Sequence, residues 1–318
     1  MPSLRLTPLT PRGRVVVMVM LVLGTAASCE HQPSRDHRDS TITASSTTTA
    51  KAARPDTSGW DPTLGPALLV PGASRDEAVI LLPYPGDTAA MTALDSASAA
   101  GGTATLLGRG GARLSARLGG DGDESDVACE LWPLKDVRAV GGATAWAVGF
   151  LSSSVSAMPL DSVEVLSARD STALVAEASR LASAVTAETG PSFQGLRFTV
   201  HDIRRFTPAP GVQALVAHLL RRVNQEANPQ EEQTLLIAER DSGSLASPYQ
   251  LLYAERVFGR EEDVATPEVV AGLHLAPRAT PTLVVARDGD AGVTYALLAR
   301  DGARHWRVRW TSSRMRCS

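Results

Sequence analysis

Two groups of carboxylates are the residues in this sequence best placed to do chemistry. Glu226, Glu231 and Glu232 surround Asn228-Pro229, and Glu261, Glu262 and Asp263 follow Gly259-Arg260. If the strands flanking these turns lie side by side, both turns reach one edge of a sheet, close to Arg221, Arg222 or Arg256. Carboxylates so placed could exchange protons with a substrate, as in a hydrolase, or hold a polar ligand. The competing expectation is a solvated face whose ion pairs contribute little. Asp121-Gly-Asp-Glu-Ser-Asp126 offers oxygen ligands of the kind Ca²⁺ takes, but not the EF-hand spacing. His201, His218, His274 and His305 fall singly in strand-like stretches, where a core or surface role is expected of each. No metal and no cofactor is called for.

Other chemistries lack their residues. The only lysines, Lys51 and Lys135, are not in a phosphate-loop context, and there is no H-E-x-x-H, C-x-x-C, G-x-S-x-G or Ser-x-x-Lys pattern. Gly108 and Gly110 run into an alternating strand and read as a hairpin, not a dinucleotide fingerprint. A net charge of −3 argues against nucleic acid, whose phosphates need a basic surface. At 318 residues, 43% apolar and 20% charged, the chain is too apolar for a disordered protein and long enough for one sizeable core or two modest ones.

The N-terminus carries the clearest pattern. Arg5, Arg12 and Arg14 precede an apolar run from Val15 to Leu23, and small residues follow from Gly24 to Ser28. This is the order of an export signal, and the run is too short for a stable transmembrane helix. Ala26-Ala27-Ser28-Cys29 resembles the lipobox of bacterial lipoproteins, with Ala26 where that family usually has Leu. The resemblance covers residues 1–29 alone. It implies removal of residues 1–28, a lipid on Cys29, and a chain facing the periplasm or the cell exterior. The alternative is ordinary cleavage after Ala27, with Cys29 unmodified. Cys129 and Cys317 then remain as a candidate disulfide in an oxidising compartment, or as two buried thiols.

Residues 29–59 are polar and rich in Ser and Thr, too poor in apolar area to offset the entropy of ordering, and read as a flexible tether. Every aromatic residue lies from Trp60 to Trp310, so the globular region is expected at 60–318. Within it, runs such as Ala78 to Leu82, Thr103 to Leu107 and Thr282 to Arg287 read as strands between Gly and Pro punctuation. Val212 to Val223 fits a strand better than a helix. Asp301-Gly302 signals a tight hairpin turn, after which Trp306, Val308 and Trp310 should share one buried face. Leu106 to Arg113 and Leu297 to Arg304 match at six of eight positions, through duplication or chance. The region from Pro281 to Trp310 resembles one blade repeat of FG-GAP-type propellers, without the acidic spacing of their calcium loop.

Ser167 and Asp170 have capping-box spacing, and Leu174, Val175, Ala178, Leu181, Ala182 and Val185 follow at the helical period until Gly190-Pro191. The expected fold is therefore α+β: mainly antiparallel sheet, with one long amphipathic helix at 168–189 between strand groups at 60–160 and 191–318. The expected function is a lipid-anchored envelope protein that binds or scaffolds an envelope protein or polymer. A hydrolase using the two carboxylate loops is the alternative.

Overall fold

A computed structural model describes residues 59–120, 131–140, 145–185, 193–223, 228–243, 247–276 and 278–316, all within one compact unit. Its first part is β1 (Leu68–Pro71), β2 (Glu77–Leu81), helix α1 (Thr88–Ala99), β3 (Thr103–Leu107), β4 (Arg113–Leu118), β5 (Leu131–Val140) and β6 (Val148–Phe150). These six strands close an antiparallel barrel in the order β1-β2-β5-β4-β3-β6. Gly149 lets it close, because a Cβ there would stand 2.5 Å from the Leu106 side chain. Leu69, Ala104, Leu106, Leu114 and Trp132 pack together with Leu94 of α1.

The chain continues through β7 (Val155–Ala157), β8 (Asp161–Ser162), helix α2 (Ala168–Ser183), β9 (Thr199–Ala209), β10 (Val212–Val223), β11 (Gln230–Asp241) and β12 (Gln250–Arg260). It ends with β13 (Thr266–Leu275), β14 (Thr280–Asp288), β15 (Thr294–Arg300) and β16 (Trp306–Thr311). Two five-stranded sheets result, β16-β15-β14-β13-β7 and β12-β11-β10-β9-β8. We call the first the central sheet and the second the outer sheet. The two strand groups share the central sheet, since β7 pairs with β13, and β8, in the connection between the groups, pairs with β9 of the outer sheet.

Four layers stack: barrel, central sheet, outer sheet and α2. Val270, Leu273, Val284 and Leu297 of the central sheet pack on the barrel with Leu68, Val70 and Phe150. Leu283, Val285 and Leu298 pack the other way, on Val216, Leu235 and Ile237 of the outer sheet. Leu215, Leu219 and Leu236 then cover Leu174, Ala178 and Leu181 of α2. A sheet buried on both faces needs continuous apolar runs, which Leu283-Val-Val-Ala286 supplies. Each fully buried Leu or Val contributes about 1.5–3 kcal/mol of transfer free energy.

The expected α+β class is overturned. Among the described residues strand content is 51% against 17% helical, and the two helices are short, so the fold is β-rich. The expected single helix at 168–189 is α2, which keeps its Ser167 cap on the Asp170 amide (3.2 Å) but ends at Ser183. Two carbonyls at that end, those of Ala182 and Val185, accept from the Arg256 guanidinium instead of continuing a helix. The second helix, α1, hides in a run of small residues. It turns only Ala90, Leu94 and Ser98 inward, too thin a stripe to read as an amphipathic face.

Two expectations about the last hairpin are also corrected. The turn after Asp301 runs to His305, closed by the Asp301 amide on the His305 carbonyl (2.7 Å), so it is not a two-residue turn. A register shift between Leu297 and Leu298 then puts Trp306 and Trp310 on opposite faces, with Val308 exposed. One extra residue reverses the side-chain alternation, which is what a β-bulge does.

Candidate functional site

Strand pairing decides where the predicted carboxylates go. Glu231 and Glu232 do not lie in a loop; the ladder between β10 and β11 extends to Val223 and Gln230 and takes both in. It sets Arg222 opposite Glu231 and Arg221 opposite Glu232. Glu261, Glu262 and Asp263 form a short 3-10 turn after β12, whose first amide bonds the Pro229 carbonyl (3.2 Å). The two turns thus meet at one edge of the outer sheet. Glu226 lies outside the described residues.

The carboxylates divide between the two faces of that sheet. On the helix side, Glu232 is 0% exposed and accepts from Arg221 Nε at 3.0 Å and Nη2 at 2.6 and 2.8 Å. Arg256 approaches within 3.4 Å and Phe198 lies under the Arg221 guanidinium, 4.4 Å from ring centroid to charge. Arg221 also donates to the Phe193 carbonyl (2.9 Å). On the other side, Arg222 pairs with Glu231 and reaches Glu261 at 2.7 Å. Glu262 and Asp263 are exposed. None of these carboxylates lines the cleft beside His218 described below. The arrangement is a clasp, in which Glu232 is held by Arg221 on one face and Glu231 and Glu261 by Arg222 on the other.

The hydrogen bonds lead from Glu231 to a different residue. Gln233 Nε2 donates to Glu231 Oε2 (2.8 Å), because a carboxylate can only accept. The Gln233 amide oxygen is thereby turned toward His218 Nε2, 2.5 Å away. His218 must therefore carry its proton on Nε2, which leaves Nδ1 as the lone-pair nitrogen. The ring is 4% exposed. Burial pushes its pKa below the ordinary 6.5, and the nearby His201 ring, 4.9 Å between centroids, adds to this. The Gln233 hydrogen bond and the charges of Asp202 and Glu231 act the other way without prevailing. His218 is held neutral, with a fixed tautomer.

His218 lines a cleft of about 490 Å³ between the outer and central sheets. His201, Asp202 and Arg204 come from β9, Thr266 and Glu268 from β13, and Asp288 from the end of β14. Arg109, in the turn between β3 and β4, reaches across from the barrel to pair with Glu268. On the far side of that ion pair a second cavity, about 480 Å³, shares Arg109, Glu268, Ala286 and Asp288 and adds Trp146 and Tyr295. The phenol of Tyr295 is pushed up by burial and then by the negative charges of Asp288 and Glu268. The two cavities form one groove with an ionic strap across it.

None of the expected site residues predicted this groove. Read from the sequence, His218 is a core or surface residue like the other histidines, because the cleft around it is assembled from strands far apart in the chain. Hairpin symmetry was the available signal: Arg221 and Arg222 mirror Glu232 and Glu231 about the turn, and extending the same register sets His218 opposite Leu235 and beside Gln233. Cys29, Cys129, Cys317 and the Asp121 to Asp126 run lie outside the described residues. Among the described residues no three His, Cys, Asp or Glu side chains gather as a metal cage, and no helix is long and apolar enough to cross a membrane. Compared with family models, curated proteins and solved structures, the chain shows no match.

Proposed function

We propose that this chain is a lipid-anchored envelope protein with a binding role, held at a membrane through Cys29, and that its ligand docks in the cleft beside His218. The observation that carries the binding role is how the buried charges are used. Glu232 is tied to Arg221 and Arg256, Glu239 to Arg300, and Glu255 to Arg287, and each pair joins strands or layers. Groups so committed hold a scaffold together and leave no acid and base facing one substrate. The His218 imidazole is the exception, a polar group in a concave site with one nitrogen uncommitted.

The anchor is supported by the Arg-rich start, the short apolar run and the small residues before Cys29. Mass spectrometry of the mature N-terminus tests it, with labelled fatty acid supplied to cells making the wild type or Cys29→Ala. The expected result is label on the wild type and none on the variant. An unmodified N-terminus at Ser28 overturns the anchor. For the binding role, a partner or polymer retained from native envelope by the wild type should be lost from a variant with an altered cleft.

A further inference from the structure

We infer that the cleft beside His218 takes a small cationic amine, held at the Asp288 carboxylate and at the Nδ1 lone pair of His218. This deepens the binding role proposed above and rests on it.

The inference follows from which polar groups remain uncommitted. The cleft's two arginines are paired in charge, Arg109 with Glu268 and Arg204 with Asp202, the latter at 3.0 Å. The charge left unpaired among the described residues is the Asp288 carboxylate, an acceptor. The Gln233 contact commits the Nε2 proton of His218, so Nδ1 can only accept. Nδ1 bonds no described residue, and among the described residues no enclosed side-chain nitrogen or oxygen lacks a partner, so Nδ1 is not enclosed, and the side chain that carries it lines the cleft. Asp288 has no ion-pair partner among the described residues and lines both cavities. With His218 neutral, Asp202, Glu268 and Asp288 outnumber Arg109 and Arg204 by one charge. An anion would meet this excess of carboxylates and a lone pair. An ammonium group supplies the missing donors and the missing charge, and Trp146 and Tyr295 beyond the strap offer its carbon chain apolar and aromatic surface.

The role of His218 makes binding depend on pH. The titratable and charged groups facing it are His201, Asp202 and Arg204 from β9, Glu231 from β11, and Glu268, Asp288 and Arg109 from across the cleft. A proton on Nδ1 would turn the acceptor into a donor and cancel the negative excess.

Calorimetric titration of the full chain with spermidine tests the inference, with erythritol and citrate as neutral and anionic comparators. Spermidine should bind saturably, about tenfold more weakly to Asp288→Asn and to His218→Leu, and unchanged to Asp95→Asn on the exposed face of α1. Affinity should fall as pH is lowered from about 7.5 to about 5.5 in the wild type and less steeply in His218→Leu, where only the His201 imidazole remains in the cleft. Should His218→Leu fail to fold, Asp288→Asn and the wild-type pH series decide. Absence of saturable spermidine binding, or binding that Asp288→Asn leaves unchanged, overturns the inference. If erythritol or citrate binds instead and His218→Leu abolishes it, the amine is wrong while the cleft remains a binding site.

Discussion

Trp306 and Trp310 stand on one strand and bury their rings on opposite faces of the central sheet. Trp310 meets Trp60 edge-on (centroids 4.7 Å apart) and donates to the Pro83 carbonyl (2.8 Å), on the barrel side. Trp306 meets Phe206 edge-on (5.9 Å) and donates to Glu239 (2.7 Å), on the side of the outer sheet. Each indole thus fastens a different pair of layers. Trp310→Ala and Trp306→Ala should each cost about 3–5 kcal/mol in a denaturant titration. Hydrogen exchange should tell them apart. Trp310→Ala should release protection first in β1 and β6, and Trp306→Ala in β11 and β12. The same pattern in both would show that the layers do not separate at these contacts.

Glu239 is 0% exposed and accepts from Arg300 at 2.7 and 2.9 Å as well as from Trp306, so it links β11 to β15 and β16. Removing the arginine alone leaves a charge in an apolar layer. Arg300→Met should therefore cost about 3–5 kcal/mol, while Glu239→Leu combined with Arg300→Met should recover most of the loss. The double-mutant cycle, measured by urea unfolding, checks this. Additive losses would mean that the pair is solvated in solution.

Arg256 connects two kinds of structure. Its guanidinium donates to Ala182 (2.7 Å) and Val185 (3.3 Å) at the carboxyl end of α2, while its charge lies 3.4 Å from Glu232. Capping carbonyls with a cation satisfies acceptors that the helix leaves open and complements its dipole. Arg256→Ala should speed hydrogen exchange in the last turn of α2 by about tenfold while leaving its first turn, capped by Ser167, unchanged. Arg256→Lys should restore only part, since an ammonium cannot span both carbonyls as a planar fork can.

What could be read from the sequence depended on how far each signal reaches along the chain. The strand at Val212 to Val223 and the Ser167 cap are local, and the structure contains both. The carboxylate groups do share a sheet edge, because hairpin order alone sets β10, β11 and β12 side by side. Whether Glu232 is wet or enclosed depends on Phe198 and α2, which periodicity within β11 does not reveal. The cleft lies further still from local signals. His218 and Asp288 belong to different sheets, and Arg109 comes from the barrel. The opposite orientations of Trp306 and Trp310 depend on one bulge in β16 itself, where Arg309 is the extra residue between Val308 and Trp310. The missing second helix has a different cause: Asp87 caps α1 in the usual way, on the Ala90 amide at 2.9 Å, but the helix presents little apolar surface to mark it.

Stability should fall in two steps on acidification. His218 has a folded pKa below 6.5, so the unfolded chain binds its proton first. The stabilisation from keeping it neutral is complete above about pH 6.5 and is lost as pH drops from there toward the folded value. Glu255 makes the second step. Burial would raise its carboxyl, but the Arg287 hydrogen bonds at 2.7 and 2.6 Å and the attached charge outweigh that and hold it below 4.5. That contribution is present above the unfolded pKa and disappears as pH falls through the folded one. Urea midpoints collected from about pH 8 to about pH 3 should therefore decline first below the ordinary histidine range and again below the ordinary carboxylate range. His218→Leu should flatten the upper decline and leave the lower one. Arg287→Met should weaken the lower one, because without the guanidinium the burial of Glu255 raises its pKa. A single decline confined to the carboxylate range would show that His218 is solvated and free to protonate in the folded protein.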